Sequence, residues 1–284
     1  MTLRQALTEA AATLATSEHL REHARRDAEL LLLHILQVDR ATLLAYPDRS
    51  LTPDQLAAYQ SAIARRLGHE PIQYITGQQE FFGLQLKVTP ATLIPRPETE
   101  LLVEAVLDRL AHDYPLNILD IGTGTGAIAL ALAAHLPHAE ITAIDLSSEA
   151  LEVARENAVT HHLINRIRFL KSDLLTGLPR SEQVAAFDAI VSNPPYVPEP
   201  DRSSLHPQVR DHEPHTALFA GPSGLDIYRR LIPEARAALK LGGLLALEIG
   251  HGQRDALASL LADWQNVSFL DDLQQIPRVA LAQR

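Results

Sequence analysis

From Pro97 onward the chain alternates short apolar segments of strand length with longer segments whose apolar residues recur at helical spacing, and that rhythm leaves few folds open. Helices are expected over 98–111, from near 126, over 147–160 and over 224–239. Strands are expected over 117–121, 140–144, 166–171, 187–192 and 244–249, with two more over 267–270 and 277–282. Strand alternating with helix builds a parallel sheet covered by helices on both faces. The fold class is therefore α/β, a doubly wound, mostly parallel seven-stranded sheet whose last two strands close it as an antiparallel pair.

The residues before this stretch have another texture. The first 70 are rich in Ala, Leu, Arg and Glu, with apolar side chains at helical spacing, as in Ala24, Ala28, Leu31, Leu32 and Ile35, so several short helices are expected. Thr52-Pro53-Asp54-Gln55 is a helix start: a threonine cap, proline at the first helical position and glutamine at the third make a capping box. That helix should end near Leu67, before Gly68 and Pro71. Over 72–88 the residues turn aromatic and β-branched, with Gly77 and Gly83, which reads as a hairpin. The expected organisation is a helical domain over 1–71, a hairpin linker over 72–90 and an α/β domain over 91–284.

Charge narrows the partners. The formal net charge is −10, with nine Lys/Arg against ten Asp/Glu over residues 1–90 and 16 against 25 in the remainder. A protein that grips nucleic-acid phosphates is expected to be basic, so no nucleic-acid partner is expected. The chain has no cysteine, which removes disulfide and thiolate chemistry. Its first ten residues lack the apolar core of a signal peptide and no apolar run approaches 18 residues. A cytoplasmic protein without a membrane partner is expected.

Three junctions between strand and helix carry the chemistry. Asn193-Pro194-Pro195-Tyr196 follows the strand over 187–192, and open α/β sheets keep their sites at the carboxyl ends of strands. Two successive prolines supply no N–H, so this turn offers carbonyl oxygens and one side-chain amide, an acceptor-rich cup suited to a planar NH2 group. A proline-stiffened turn is the competing reading. Asp120-Ile121-Gly122-Thr123-Gly124-Thr125-Gly126 joins the first strand of the sheet to its first helix. Its third glycine comes one residue earlier than in the dinucleotide fingerprint, and Asp120 before it favours a cationic over a phosphate-bearing ligand. Asp145 ends the next strand, where an acid commonly holds ribose hydroxyls, or else caps the helix that starts at Ser147. Asp173 follows the third strand and either accepts from an adenine amino group or is an exposed turn residue. A cationic end, a ribose and an adenine together describe S-adenosylmethionine.

On these residues the sequence resembles the N5-glutamine methyltransferases of peptide chain release factors, a branch of the class I S-adenosylmethionine-dependent enzymes. The resemblance spans nearly the whole chain: the helical front domain, Gly77-Gln78-Gln79-Glu80-Phe81-Phe82-Gly83, Ile94-Pro95-Arg96-Pro97-Glu98-Thr99-Glu100, the glycine loop, the Asn193 turn, Val209-Arg210 with Glu213-Pro214, and Glu248-Ile249-Gly250. It implies a Rossmann-like methyltransferase sheet and a front domain that recognises substrate. It implies that Asn193, Pro194, Pro195 and Tyr196 form the catalytic and substrate-binding turn, with Tyr196 packed on the substrate amide. Asp120, Gly122, Thr123, Gly124, Thr125, Gly126, Asp145, Asp173, Leu174 and Asn193 would bind S-adenosylmethionine and its product S-adenosylhomocysteine. Arg96 would contact substrate or pair with Glu98 or Glu100, and Glu248 would have a structural or loop-ordering role. The protein substrate would be a release factor, engaged through its Gly-Gly-Gln loop by a monomeric enzyme without a metal; the His161-His162 pair and the histidines of the loop over 197–223 lack metal-ligand spacing with a third donor and are read as surface residues.

Two departures stand out: Leu174 replaces an aromatic residue beside the adenine, and Gln274-Gln275-Ile276-Pro277-Arg278 lacks the glycine usual there. An adenine-N6 methyltransferase shares the cup but calls for a basic face. A dinucleotide-dependent oxidoreductase and a non-catalytic binding module are the other classes the sequence leaves to compare.

Overall fold

The computed structural model describes residues 1–111 and 113–284, in two compact units. The first comprises Met1–Gln78 with Leu205–His212. It holds α1 (Leu3–Leu14), α2 (Ala24–Leu36), α3 (Arg40–Ala45), α4 (Pro53–Leu67) and α5 (Ile72–Thr76). Thr52 caps α4 as its sequence demands: its hydroxyl accepts from the Gln55 N–H at 3.2 Å and the Gln55 side chain accepts from the Thr52 N–H at 3.0 Å. Leu3, Leu14, Leu31, Leu32 and Tyr59 fill the core, beside a buried Arg66–Asp27 pair at 2.7 Å. Breaking a pair so placed would cost about 3–5 kcal/mol. The stretch over 72–76, expected as the first half of a hairpin, is helical instead. Pro71 starts it, and Gly77 stops it in the left-handed region at φ +75°.

The second unit comprises Gln79–Ser204 with Glu213–Arg284. The hairpin β1 (Gln78–Phe81) and β2 (Leu84–Lys87) leads to α6 (Pro97–Leu107). The sheet strands are β3 (Asn117–Ile121), β4 (Glu140–Asp145), β5 (Ile167–Lys171), β6 (Phe187–Ser192), β7 (Leu239–Glu248), β8 (Gln265–Asp271) and β9 (Pro277–Gln283). Between them run α7 (Ala127–His135), α8 (Ser148–Thr160), α10 (Asp226–Ala238) and α11 (Arg254–Leu260), while α9 (Pro207–His212) belongs to the first unit. The strand order is β5-β4-β3-β6-β7-β9-β8, with β9 antiparallel to both of its neighbours. From β3 the order runs outward through β4 to β5, and from β6 it runs the other way through β7 to the antiparallel pair β9 and β8. The order therefore reverses between them, which opens the crevice where such sheets bind ligands.

Alternate residues of each central strand enter different cores. Ile118, Ala189 and Val191 face one, packed with residues of α6, α7 and α8, while Leu119 and Ile190 face the other, packed with residues of α10 and α11. That is why these strands read as continuous apolar runs. Strand β7 begins five residues before the expected start, running straight on from α10. The turn before β9 manages without glycine because Gln275 takes φ +62° and the Asp272 carboxylate accepts from the Gln274 and Ile276 N–H groups at 2.8 and 3.1 Å. Among the described residues no helix is long and apolar enough to cross a membrane.

Candidate active site

Strands β3 and β6 are in register, Ile121 beside Ser192, so the glycine loop and the Asn193 turn leave the sheet side by side. The buried Ser192 hydroxyl donates to the Ile121 carbonyl at 2.7 Å and fastens the two exits together. Between them lies a cavity of about 380 Å³. Gly122, Thr123, Gly124, Thr125, Asp145, Asp173, Leu174, Asn193, Pro194 and Pro195 all line it, joined by Thr99 from the first turn of α6.

The loop is held by its backbone. Gly122 and Thr123 donate N–H bonds to the Ile144 carbonyl at 2.9 and 3.0 Å, and Gly124 donates to Asp145 Oδ2 at 2.9 Å. Gly122 and Gly124 sit at φ +72° and +55°, and a Cβ on either would point into open space. A ligand can therefore approach the bare backbone. Gly126 differs, because its Cβ would lie 3.2 Å from Leu130 and 3.3 Å from Ala154. It lets the start of α7 pack closely on α8, and it is not among the residues that line the cavity. Asn157, which the sequence did not single out, supports the loop from behind: it donates to the Thr125 carbonyl at 2.9 Å and exchanges hydrogen bonds with the Lys87 backbone.

Asp120 stands behind the cavity wall. It is fully buried, and Oδ2 accepts from the Thr123 hydroxyl at 2.6 Å; among the described residues Oδ1 makes no hydrogen bond of good geometry, although the Ala129 backbone N–H at the start of α7 acts to lower the carboxyl. Burial pushes its carboxyl up to about 7, with the neighbouring Asp145 adding to the rise. Asp145 accepts from Gly124 and, through Oδ1, from the Ser147 N–H at 2.9 Å; the cap of α8 is the Ser147 hydroxyl. Asp145 is also raised, chiefly by desolvation. Its oxygens retain lone pairs for further donors. Asp173 is half exposed and pairs with Arg230 at 2.8 Å. Leu174 takes φ +48°, lines the cavity and packs in the core of α10 and α11.

At the exit of β6, Asn193 donates from Nδ2 to the Thr99 hydroxyl at 3.1 Å, and Thr99 donates to Glu248 Oε2 at 2.6 Å. Tyr196, expected as a flat wall against substrate, is not on the cavity wall. Its ring leans on the core of α10 and α11, its hydroxyl donates to Glu248 Oε1 at 3.2 Å, and Gln253 donates to its carbonyl at 2.9 Å. Arg96 pairs with the buried Glu213 and with neither Glu98 nor Glu100. Glu213 also accepts from the Ile94 N–H at 3.3 Å, and Glu100 accepts instead from the Phe82 N–H at 2.8 Å. Arg96 thus fixes the Pro95–Pro97 bend and lies off the cavity wall. Thr99 and Glu213 were within quoted sequence stretches, but no local spacing joins them to partners more than 100 residues away.

Residues 5–77 match the PrmC N-terminal domain and residues 97–206 the methyltransferase small domain. Over its full length the chain is 45% identical to a release factor glutamine methyltransferase of Koribacter versatilis, covering 99% of that protein. It is 46% identical to one of Moorella thermoacetica, again over the whole chain and 99% of the relative, and 44% identical to one of Escherichia coli over 92% of each. The chain belongs to the release factor glutamine methyltransferase family.

Solved structures agree on the fold alone. The hMettl16 catalytic domain in complex with a MAT2A 3′UTR hairpin superposes with a TM-score of 0.57 over 86% of this chain and 92% of that one, at 18% identity. A methyltransferase from Pyrococcus furiosus gives 0.51 over 82% and 98%, at 20% identity. As a member of this family the protein is a methyltransferase whose methyl donor is S-adenosylmethionine. The cavity fits that donor on three counts: bare glycine backbone, an unpaired buried Asp120 oxygen behind it, and Asp145 with acceptor capacity at the rim.

Proposed function

We propose that the protein methylates the side-chain amide nitrogen of the glutamine in the Gly-Gly-Gln loop of peptide chain release factors. The observation that carries this reading is that the Asn193 turn and the glycine loop, which leave adjacent strands side by side, line the same cavity, so an acceptor surface lies beside the donor-binding backbone. Bound S-adenosylmethionine would supply an electrophilic methyl group on a sulfonium, which leaves as the neutral thioether when the carbon–sulfur pair stays with sulfur.

The protein's part is orientation. An amide nitrogen is a poor nucleophile because its lone pair is delocalised, so positioning supplies most of the rate. The Asn193 Oδ1 and the Pro194 carbonyl accept the two N–H bonds of the substrate glutamine and hold the nitrogen face towards the methyl group. As positive charge develops on nitrogen, those acceptors bind it more tightly than the ground state. The proton then lost is acidic and needs no strong base. Towards the methyl donor, Asp145 holds the ribose hydroxyls, Asp120 places negative charge behind the loop, and Asp173 and Leu174 flank the adenine. We assign substrate recognition to the helical unit, and a monomer acting in the cytoplasm is the simplest form consistent with this reading.

Labelled S-adenosylmethionine, offered with a release factor, with the same factor carrying alanine for the loop glutamine, or with DNA, tests the assignment. Label is expected only on the unaltered factor; label on DNA, or equal label on both factors, would reject it. Asn193→Ala should lower kcat by about 10²–10³-fold, the loss seen when one preorganised charge-stabilising group is removed, while the Kd for S-adenosylmethionine stays within about twofold.

A further inference from the structure

Glu248, Thr99 and Asn193 form a chain of hydrogen bonds that ends at the cavity wall. Glu248, the last residue of β7, is 2% exposed, and Thr99 in α6 is 4% exposed. Both carboxylate oxygens take hydroxyl donors, Oε2 from Thr99 and Oε1 from Tyr196. Of the three chain members only Thr99 and Asn193 reach the cavity.

The direction of this chain follows from counting protons. A threonine hydroxyl has one proton, and an ionised carboxylate can only accept. Thr99 therefore commits its proton to Glu248 and turns lone pairs towards Asn193. The Asn193 prong beside Thr99 must then be the NH2, which leaves Oδ1 as the prong available to another partner. An amide's two prongs have nearly the same size, so packing alone does not choose between them; the hydrogen-bond network does. Without the carboxylate, Thr99 could donate to Asn193 Oδ1 instead, and the amide could turn over and present donors where the reaction needs an acceptor.

We propose that Glu248 and Thr99 are positioning residues for methyl transfer, the carboxylate setting the direction of the Thr99 hydroxyl and the hydroxyl holding the Asn193 amide with its oxygen towards the substrate NH2. This rests on the reading of Asn193 as an acceptor for the substrate amide. Burial pushes the Glu248 carboxyl up to about 7 against the lowering effect of the Thr99 and Tyr196 hydroxyls. The charges that face it are Glu98 from α6, which raises it, and Arg278 from β9, which lowers it; Tyr228 of α10 donates to its backbone carbonyl at 2.7 Å. Protonated Glu248 could donate to Thr99 and reverse the chain, so turnover should fall on the acid side of neutrality.

Full-length variants assayed for methyl transfer to a release factor, with S-adenosylmethionine binding measured by calorimetry, test this. Thr99→Val keeps the shape and removes the hydroxyl; kcat should fall about 10²-fold, while Kd stays within about twofold. Thr99→Ser should recover most of that loss. Glu248→Gln, whose amide can present either prong to Thr99, should lower kcat less than Thr99→Val and remove the acid limb of the wild-type kcat profile. Thr99→Val with kcat within about threefold of wild type, Thr99→Ser as impaired as Thr99→Val, or cofactor binding lost together with turnover would each overturn the proposal. If Asn193→Ala itself keeps its kcat, the failure lies in the acceptor reading of Asn193.

Discussion

Asp120 and Glu248 lie on the two strands that flank β6, buried to nearly the same depth, and only one of them is complete. Burial pushes both carboxyls up to about 7. Glu248 has a hydroxyl on each oxygen, whereas Asp120 spends one oxygen on Thr123 and leaves the other unpaired. The same burial thus yields two kinds of group. A satisfied carboxylate imposes a direction on its donors and suits the substrate side. The oxygen without a donor stands beside the glycine loop, where a bound cationic ligand would favour the ionised form.

The comparison breaks most visibly if the two halves of the cavity fail to separate by function. Asp145→Ala should weaken S-adenosylmethionine binding by about 10²-fold, since a hydrogen bond to a charged group is worth about 1.5–3 kcal/mol and a ribose offers two hydroxyls. Asn193→Ala should leave that Kd nearly unchanged. Calorimetric titration of both variants decides; equal losses in both would mean that the two walls act as one binding surface.

A smaller effect sharpens the contrast through stability. A carboxyl whose folded value is raised from about 4 to about 7 stays neutral in the native state while its unfolded counterpart ionises. Each acid therefore reduces stability increasingly as pH rises through that window, and the cost is complete above it. Asp120→Asn should raise Tm at pH 8 by about 3 °C, corresponding to about 1 kcal/mol, and by little at pH 4. Glu248→Gln should gain less, because its hydroxyl donors lose a full acceptor. Melting curves at the two pH values test the order, and an equal gain would show that hydroxyl satisfaction makes no difference.

The strands around the site were legible because residues buried on both faces are apolar without interruption, and β3 has the bounds its sequence predicts. Capping chemistry was equally local, as Thr52 and Gln55 show. Partners chosen by the tertiary fold were not legible. Arg96 finds Glu213 at 117 positions' separation and Thr99 finds Glu248 at 149, so no window of sequence could prefer them to Glu98 or Glu100. The Tyr196 hydroxyl's partner was hidden for the same reason, because the Glu248 acceptor comes from another strand. The segment 205–212 joins the helical unit although it lies between β6 and α10 in sequence, a placement set by contacts such as His212 to the Gly68 carbonyl at 3.0 Å.

The smallest expected effect probes the unpaired oxygen directly. Burial raises the Asp120 carboxyl to about 7, so both its protonated and its ionised forms are within reach at neutral pH. A cation bound at the glycine loop favours the ionised form, so binding of S-adenosylmethionine near pH 7 should expel a fraction of a proton. The observed binding enthalpy should then differ between phosphate and Tris by that fraction of the difference in their ionisation heats. Asp145 also titrates above its ordinary value, so wild type alone does not isolate the source. Asp120→Asn does, because it removes one titrating group and leaves the loop backbone and Asp145 in place. Loss of the buffer dependence in this variant assigns the proton to Asp120. A release that persists unchanged would put the charge-sensing group at Asp145, and the two buried carboxylates would then no longer divide between cofactor and substrate.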